Sequence, residues 1–162
     1  MTAAQVIDFY IGVRDSGVRV WIDGGWCVDA LLGEEGREHA DLDIAVGRSD
    51  DAALRDWFVR HGFSERPDGN EFAYVMQAPD GRRIDVHCFE YGPSRENVWG
   101  IPYPWGSLSG LGEIGGQRVE CVAAEWMFRF KTAYAPVQKD LADVERLARR
   151  FGFEVPESHR GR

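Results

Sequence analysis

Two short segments in which acidic residues alternate with aliphatic ones constrain this chain more than any other feature. One is Asp41-Leu42-Asp43-Ile44-Ala45-Val46 and the other is Arg83-Ile84-Asp85-Val86-His87. Successive side chains of a strand point to opposite faces of its sheet. The first segment therefore predicts a strand with Asp41 and Asp43 on one face and Leu42 and Ile44 in the core. The second predicts a strand with Ile84 and Val86 buried, and with Asp85 and His87 sharing the other face. Should the two strands pair, three carboxylates converge. Like charges so close repel unless a cation holds them, and hard oxygen ligands suit magnesium. Such a set can hold two ions in a phosphoryl-transfer clamp, one steadying a triphosphate and one lowering the pKa of an attacking hydroxyl.

Upstream, Val18 to Ile22 reads as a short strand that leads into Gly24-Gly25 and a helix over Trp26 to Leu32. Glycine lets the backbone approach a ligand closely, and a helix N-terminus suits phosphate. The glycine spacing matches neither the dinucleotide fingerprint nor the P-loop. Elsewhere, apolar spacing predicts helices over Ala4–Ser16, Asp50–His61, Ala123–Ala133 and Asp140–Phe151. Ser49 or Asp50 is the expected cap of the second of these, and Leu141, Val144, Leu147, Ala148 and Phe151 the inward stripe of the last. Phe63–Glu65 is an expected edge strand. Pro79-Asp80-Gly81 supplies turn chemistry for a hairpin of Phe72–Gln77 with Arg82–Phe89. Residues 92–116, rich in Gly, Pro and Trp, read as loops and short extended pieces forming a substrate wall, with a hairpin ending at Gln117–Cys121. At least one of Tyr91, Trp99, Tyr103 and Trp105 is expected at the pocket. Glu90, Glu96 and Glu113, each taken singly, read as solvated surface residues; the alternative is that they meet amino groups there. The polar segment from Glu154 is expected to fray.

The chain of 162 residues suits one compact unit. Its division is expected as a catalytic core over 1–120, a helical segment over 121–153 that completes the site, and a tail over 154–162. The start lacks the apolar run of a signal peptide, and no stretch would span a bilayer, so the expected compartment is the cytoplasm. A net charge of −8 argues against nucleic acid as partner and favours a cationic small molecule. Cys27, Cys88 and Cys121 are too scattered for a zinc motif and read as core fillers. Of 19 basic residues only Lys131 and Lys139 are lysine, both near the C-terminal end.

Taken together, Gly24-Gly25-Trp26-Cys27-Val28-Asp29-Ala30-Leu31-Leu32-Gly33, followed by Arg37-Glu38-His39-Ala40-Asp41-Leu42-Asp43-Ile44 and by Asp85, resembles the nucleotidyltransferase superfamily. Within it, the string resembles the small enzymes that modify lincosamide and aminoglycoside antibiotics. The resemblance runs from about Val20 to Leu147. It implies an α/β (α+β) fold with a mixed, twisted sheet flanked by helices and a C-terminal helical segment. It also implies magnesium-dependent transfer of a nucleoside monophosphate, AMP from ATP or the equivalent from another nucleoside triphosphate, to a hydroxyl of a small molecule. Asp41 and Asp43 would bind the ions, and Asp85 would serve as a further ligand or as general base. Gly24 and Gly25 would meet the triphosphate through the backbone, with Arg37, Lys131 and Lys139 supplying positive charge. Asp29 would anchor the active-site loop by capping or by pairing with Arg37, or be a plain surface carboxylate. His39 would orient that loop and Trp26 would pack, while His87, which shares a face with Asp85, could reach substrate or be structural. A homodimer is also implied. The alternatives are transfer to a protein or RNA, as in toxin–antitoxin systems, and a non-catalytic nucleotide-binding protein.

Overall fold

The structure, a computed structural model, describes residues 1–160. Its elements run α1 (Ala3–Asp15), β1 (Val20–Asp23), α2 (Gly24–Leu32), β2 (Leu42–Gly47), α3 (Arg48–Arg60), β3 (Ser64–Glu65), β4 (Ala73–Gln77), β5 (Arg83–Tyr91), β6 (Asn97–Gly100), β7 (Gly110–Ile114), β8 (Gln117–Cys121), α4 (Ala124–Thr132) and α5 (Gln138–Phe151), followed by a 3-10 turn over Glu157–His159. The strands form one mixed sheet in the order β3-β4-β5-β2-β1-β8-β7, and β6 adds to β5. Pairing is parallel for β2 with β5 and for β1 with β8, and antiparallel elsewhere.

Both alternating segments are adjacent central strands, as their patterns require. Leu42, Ile44, Ile84 and Val86 are fully buried, while Asp43 and Asp85 are Cα partners across the parallel pair. Burying four such aliphatic side chains contributes about 1.5–3 kcal/mol each. A slip of one residue would turn them to the other face and drag the carboxylates into the core, so hydrophobic burial fixes the register that juxtaposes the acids. The expected edge strand is β3, and the hairpin is β4–β5. Its turn is closed by Arg82 N–H donating to Asp80 Oδ1 at 3.1 Å.

Helices α1 and α3 meet through Phe9, which lies edge-on to Trp57 at 5.4 Å and is stacked on Phe58 at 5.7 Å. Helices α4 and α5 pack on each other and both touch α2. All three cysteines are free and buried. Among the described residues no helix is long and apolar enough to cross a membrane.

Three local expectations fail. Gly47 stands at the N-cap of α3, with no side chain capping it, in place of Ser49 or Asp50. The Asp50 carboxylate instead accepts from the Arg19 backbone N–H at 3.3 Å. In α5 the buried set is Asp140, Asp143, Val144, Leu147 and Ala148, with Phe151 exposed. The helix is turned so that two acids face inward, because cations from α4 and from the 33–40 loop meet them there. The segment from Glu154 does not fray as a whole: it closes into the 3-10 turn with His159 buried. Residues 161 and 162 lie outside the described residues.

Candidate active site

The site grows from the ends of three neighbouring strands. Strand β1 runs antiparallel to β2 and sets Asp23 opposite Asp43, and β5 runs parallel to β2 and sets Asp85 beside it. Three acids thus form one row across adjacent strands. Asp41, just ahead of β2, has its carboxylate 3.3 Å from Arg83 Nη2.

Burial is the largest influence on Asp43, and the Asp23 charge is the next; together they push its pKa up to about 6. Asp85 is also raised, by burial first and then by Asp41. Burial pushes Asp23 up as well, but His87 close by and the hydrogen bond from Tyr103 outweigh it and leave its pKa below the usual carboxylate value. The Tyr103 hydroxyl donates to Asp23 Oδ2 at 2.5 Å, and the Gly24 N–H donates to Oδ1 at 2.7 Å. His87 Nδ1 stands 3.6 Å from Asp23 and 3.2 Å from the Tyr103 hydroxyl. Burial opposes charge on His87, yet the Asp23 carboxylate prevails and raises its pKa.

The two glycines are required by this crowding. Gly24 has a φ of +60°, and a Cβ there would overlap the Asp43 carboxylate. At Gly25 a Cβ would overlap Arg37 and His39. Gly24 thus lets the helix start lie against the Asp43 carboxylate, and Gly25 lets Arg37 and His39 lie against the helix start.

Across from the strand ends, α4, α5 and the 33–40 loop form a basic wall. Lys131 is buried at 5% exposure, with Nζ 2.9 Å from Asp143 and 3.4 Å from Asp140. Arg37 donates to both Asp143 oxygens, at 3.3 and 3.0 Å. Between the walls lies a cleft of about 950 Å³. Of the eight residues expected to hold metal, triphosphate or its charge, seven line it: Asp41, Asp43, Gly24, Gly25, Arg37, Lys131 and Lys139. Asp85 adjoins Asp43 but stands off that lining.

Other expectations need correction. Asp29 does anchor the active-site loop, by capping it, but its guanidinium partner is Arg146 and not Arg37. It is buried, takes the Gly36 N–H at 3.1 Å and Arg146 Nη1 at 2.6 Å, and bonds His39 Nε2 at 2.6 Å. His39 thus orients the loop, with its ring 4.5 Å from that of buried Trp26. His87 reaches the cleft. The aromatic wall does not: among the described residues, none of Tyr91, Trp99, Tyr103 and Trp105 lines the cleft, whose aromatic lining is Phe130 and Tyr134. Tyr103 is buried with its hydroxyl on Asp23, and Trp105 packs edge-on against Tyr91 at 5.0 Å. Glu90, Glu96 and Glu113 also lie off the lining, and Glu90 is paired with Arg48 at 2.8 Å.

Sequence reasoning missed Asp23, Asp140, Asp143 and Arg146. Asp23 had a signal, an acid at the end of a strand immediately before Gly-Gly. The other three carry none, because charged residues on a helix look solvated until the neighbours are known.

Among the described residues, no group of three or more His, Cys, Asp or Glu side chains is arranged to hold a metal ion by itself. The donor set nevertheless fits a hard divalent cation. It is all carboxylate, and magnesium is commonly held by one or two carboxylates together with substrate phosphates.

Comparison with known proteins agrees with this geometry. The model of the family Aminoglycoside-2''-adenylyltransferase matches residues 5–147. A lincosamide resistance protein of Staphylococcus haemolyticus is 59% identical over 141 residues, covering 80% of this chain and 84% of its own. Among solved structures, ANT(2")-Ia in complex with adenylyl-2"-tobramycin superposes with a TM-score of 0.78 at 19% identity, over 93% of this chain and 89% of that one. The lincosamide antibiotic adenylyltransferase LnuA, lincomycin-bound, gives 0.73 at 18% identity, over 88% and 92%. At such identity these two similarities establish the fold. The match to the family model over most of the chain, with the lincosamide resistance relative beside it, establishes that this protein belongs to the aminoglycoside-2''-adenylyltransferase family of the nucleotidyltransferase superfamily.

Proposed function

We propose that the protein transfers AMP from ATP to a hydroxyl of a small cationic antibiotic of the aminoglycoside or lincosamide type, releasing pyrophosphate. The observation that carries this reading is the cleft itself. A row of carboxylates, one with its pKa pushed up to about 6, faces Arg37 and Lys131 across a helix start stripped of side chains. One wall suits a cation and the other suits phosphate oxygens.

In the reaction, the acceptor oxygen bonds to the α-phosphorus. The bond from that phosphorus to the oxygen bridging to the β-phosphate breaks, and pyrophosphate leaves with the bonding electrons. Asp41 and Asp43, with Asp85 beside them, are proposed to hold magnesium, one ion or two. The bound metal supplies charge neutralisation and a more acidic hydroxyl. Asp85, with a pKa raised by burial and by Asp41, is otherwise the carboxylate that takes the hydroxyl proton. Gly24 and Gly25 offer close backbone approach to the triphosphate, while Arg37, Lys131 and Lys139 balance its charge. Lysine near its reference pKa of about 10.4 is a point charge for phosphate and a poor base at neutral pH. Much of the rate advantage would come from positioning and electrostatics. The net charge of −8 favours an acceptor bearing amines.

The direct test offers aminoglycosides, lincosamides and related compounds with ATP, GTP, CTP and UTP in the presence of magnesium, and reads product mass. An acceptor gaining the mass of a nucleoside monophosphate supports the proposal. No adduct from any pair, with folded protein, would sink it.

A further inference from the structure

Helix α5 presents Asp140, Asp143 and Arg146 at steps of three, so they share one face. That face serves two partners. Arg146 reaches Asp29 at 2.6 Å and the Glu34 carbonyl at 3.0 Å, and Asp29 in turn holds the Gly36 N–H and His39. Asp143, at 0% exposure, receives Arg37 through two nitrogens and Lys131 at 2.9 Å. The loop that carries Arg37 is therefore fastened to α5 at two points, and the second fastening also takes in α4.

A carboxylate buried this deeply is an expensive way to join helices, since apolar residues of similar volume commonly give equal or greater stability. Lys131 already has Asp140 as a second partner. What Asp143 adds is geometry: one carboxylate fixes a guanidinium and an ammonium, contributed by separate elements, side by side on the cleft wall. We infer that Asp143 is a positioning residue, which sets Arg37 and Lys131 as a preformed cationic pair for the nucleotide phosphates. The inference rests on the nucleotidyl-transfer reading above.

The test compares wild type, Asp143→Asn, Arg37→Ala, Arg37→Lys and the double variant Arg37→Ala/Asp143→Asn, all as the full chain. Affinity for a nonhydrolysable ATP analogue with magnesium is read by calorimetry, and kcat and KM by steady-state kinetics. Asp143→Asn is expected to weaken nucleotide binding about tenfold and to lower kcat, with the acceptor KM unchanged. The loss in the double variant should fall short of the product of the single losses by at least about fivefold, because the residues act as one unit. Arg37→Lys keeps the charge but not the two-pronged contact, and should lose most of what Arg37→Ala loses. Unchanged nucleotide affinity in folded Asp143→Asn, or independent losses in the double variant, would overturn the inference. So would wild-type affinity in Arg37→Lys, a readout that survives even if Asp143→Asn does not fold. Wild type that binds nucleotide but transfers nothing would sink the proposed activity and leave the cationic pair readable. Unaffected variants of a wild type that does transfer would sink only the pair.

Discussion

The two walls of the cleft treat charge in opposite ways. On the helix side, the buried cation Lys131 has two carboxylates within reach, and Arg37 shares one of them. On the strand side, carboxylates stand next to carboxylates, and Asp43 is held close to neutrality up to about pH 6. The helix wall is electrostatically settled by its own ion pairs, whereas the strand wall is left unsettled, and a cation placed there would relieve it. A fold held in place by its aliphatic core can carry such a local penalty because total stability comes from elsewhere. The strand wall is therefore where function and stability should pull apart, and the helix wall is where they should move together.

The largest effect expected is from Asp43→Asn. Turnover should fall on the order of a thousandfold, since a near-isosteric change removes a metal-binding charge. Stability should move the other way. Asp43 ionises at 3.8 when unfolded and at about 6 when folded. The folded protein thus binds the extra proton between those values, and stability is lost as pH rises through that window. The penalty above it is on the order of 3 kcal/mol, so Asp43→Asn should melt roughly 6–12 °C above wild type at pH 7.5 in a magnesium-free thermal scan, with the difference fading by about pH 4. A lower melting temperature at pH 7.5 would mean that the strand wall is not strained.

Lys131→Ala should show the opposite coupling. Nucleotide affinity should drop about tenfold, and stability by about 3 kcal/mol, because Asp140 and Asp143 remain buried with less compensation. Chemical denaturation and calorimetry read the two. Intact stability with weakened binding would make the helix wall resemble the strand wall.

A smaller effect concerns the cation. Magnesium should raise the melting temperature of wild type at pH 7.5 and much less at pH 5, where Asp43 keeps its proton. A shift of equal size at both values would remove Asp43 from the ligand set. The smallest expected effect is that of Lys139→Ala. This exposed cleft residue should cost about twofold in nucleotide affinity, with no change in stability, as suits a solvent-screened charge. A loss matching that of Lys131→Ala would show that exposure does not separate the two lysines.

The strand wall was far more legible from sequence than the helix wall, for a physical reason. Leu42, Ile44, Ile84 and Val86 announce their face by a period of two, and the acids between them follow. Asp143 and Arg146 obey no such rule. Their burial depends on what another part of the chain brings against α5, and a charge on an amphipathic helix has the same local pattern whether it meets water or a buried partner. The Gly/Pro/Trp stretch misled in the other direction. Tyr103 gives its hydroxyl to Asp23, Trp99 lies edge-on to Phe72, and Trp105, though exposed, lies edge-on to Tyr91, so none of these aromatics builds the cleft wall that the composition suggested.

The pairing of Arg37 with Asp143 spans 106 positions, which gives the site an order of completion during synthesis. The carboxylate strands and both glycines are translated long before α5. At about 5–20 residues per second, a nascent chain spends several seconds with its acidic ends made and their basic counterpart absent. Throughout that interval Arg37 lacks its anchor on Asp143, so on the proposed reading a chain stalled before α5 should transfer nothing. On the proposed reading, α5 is the element that completes the site.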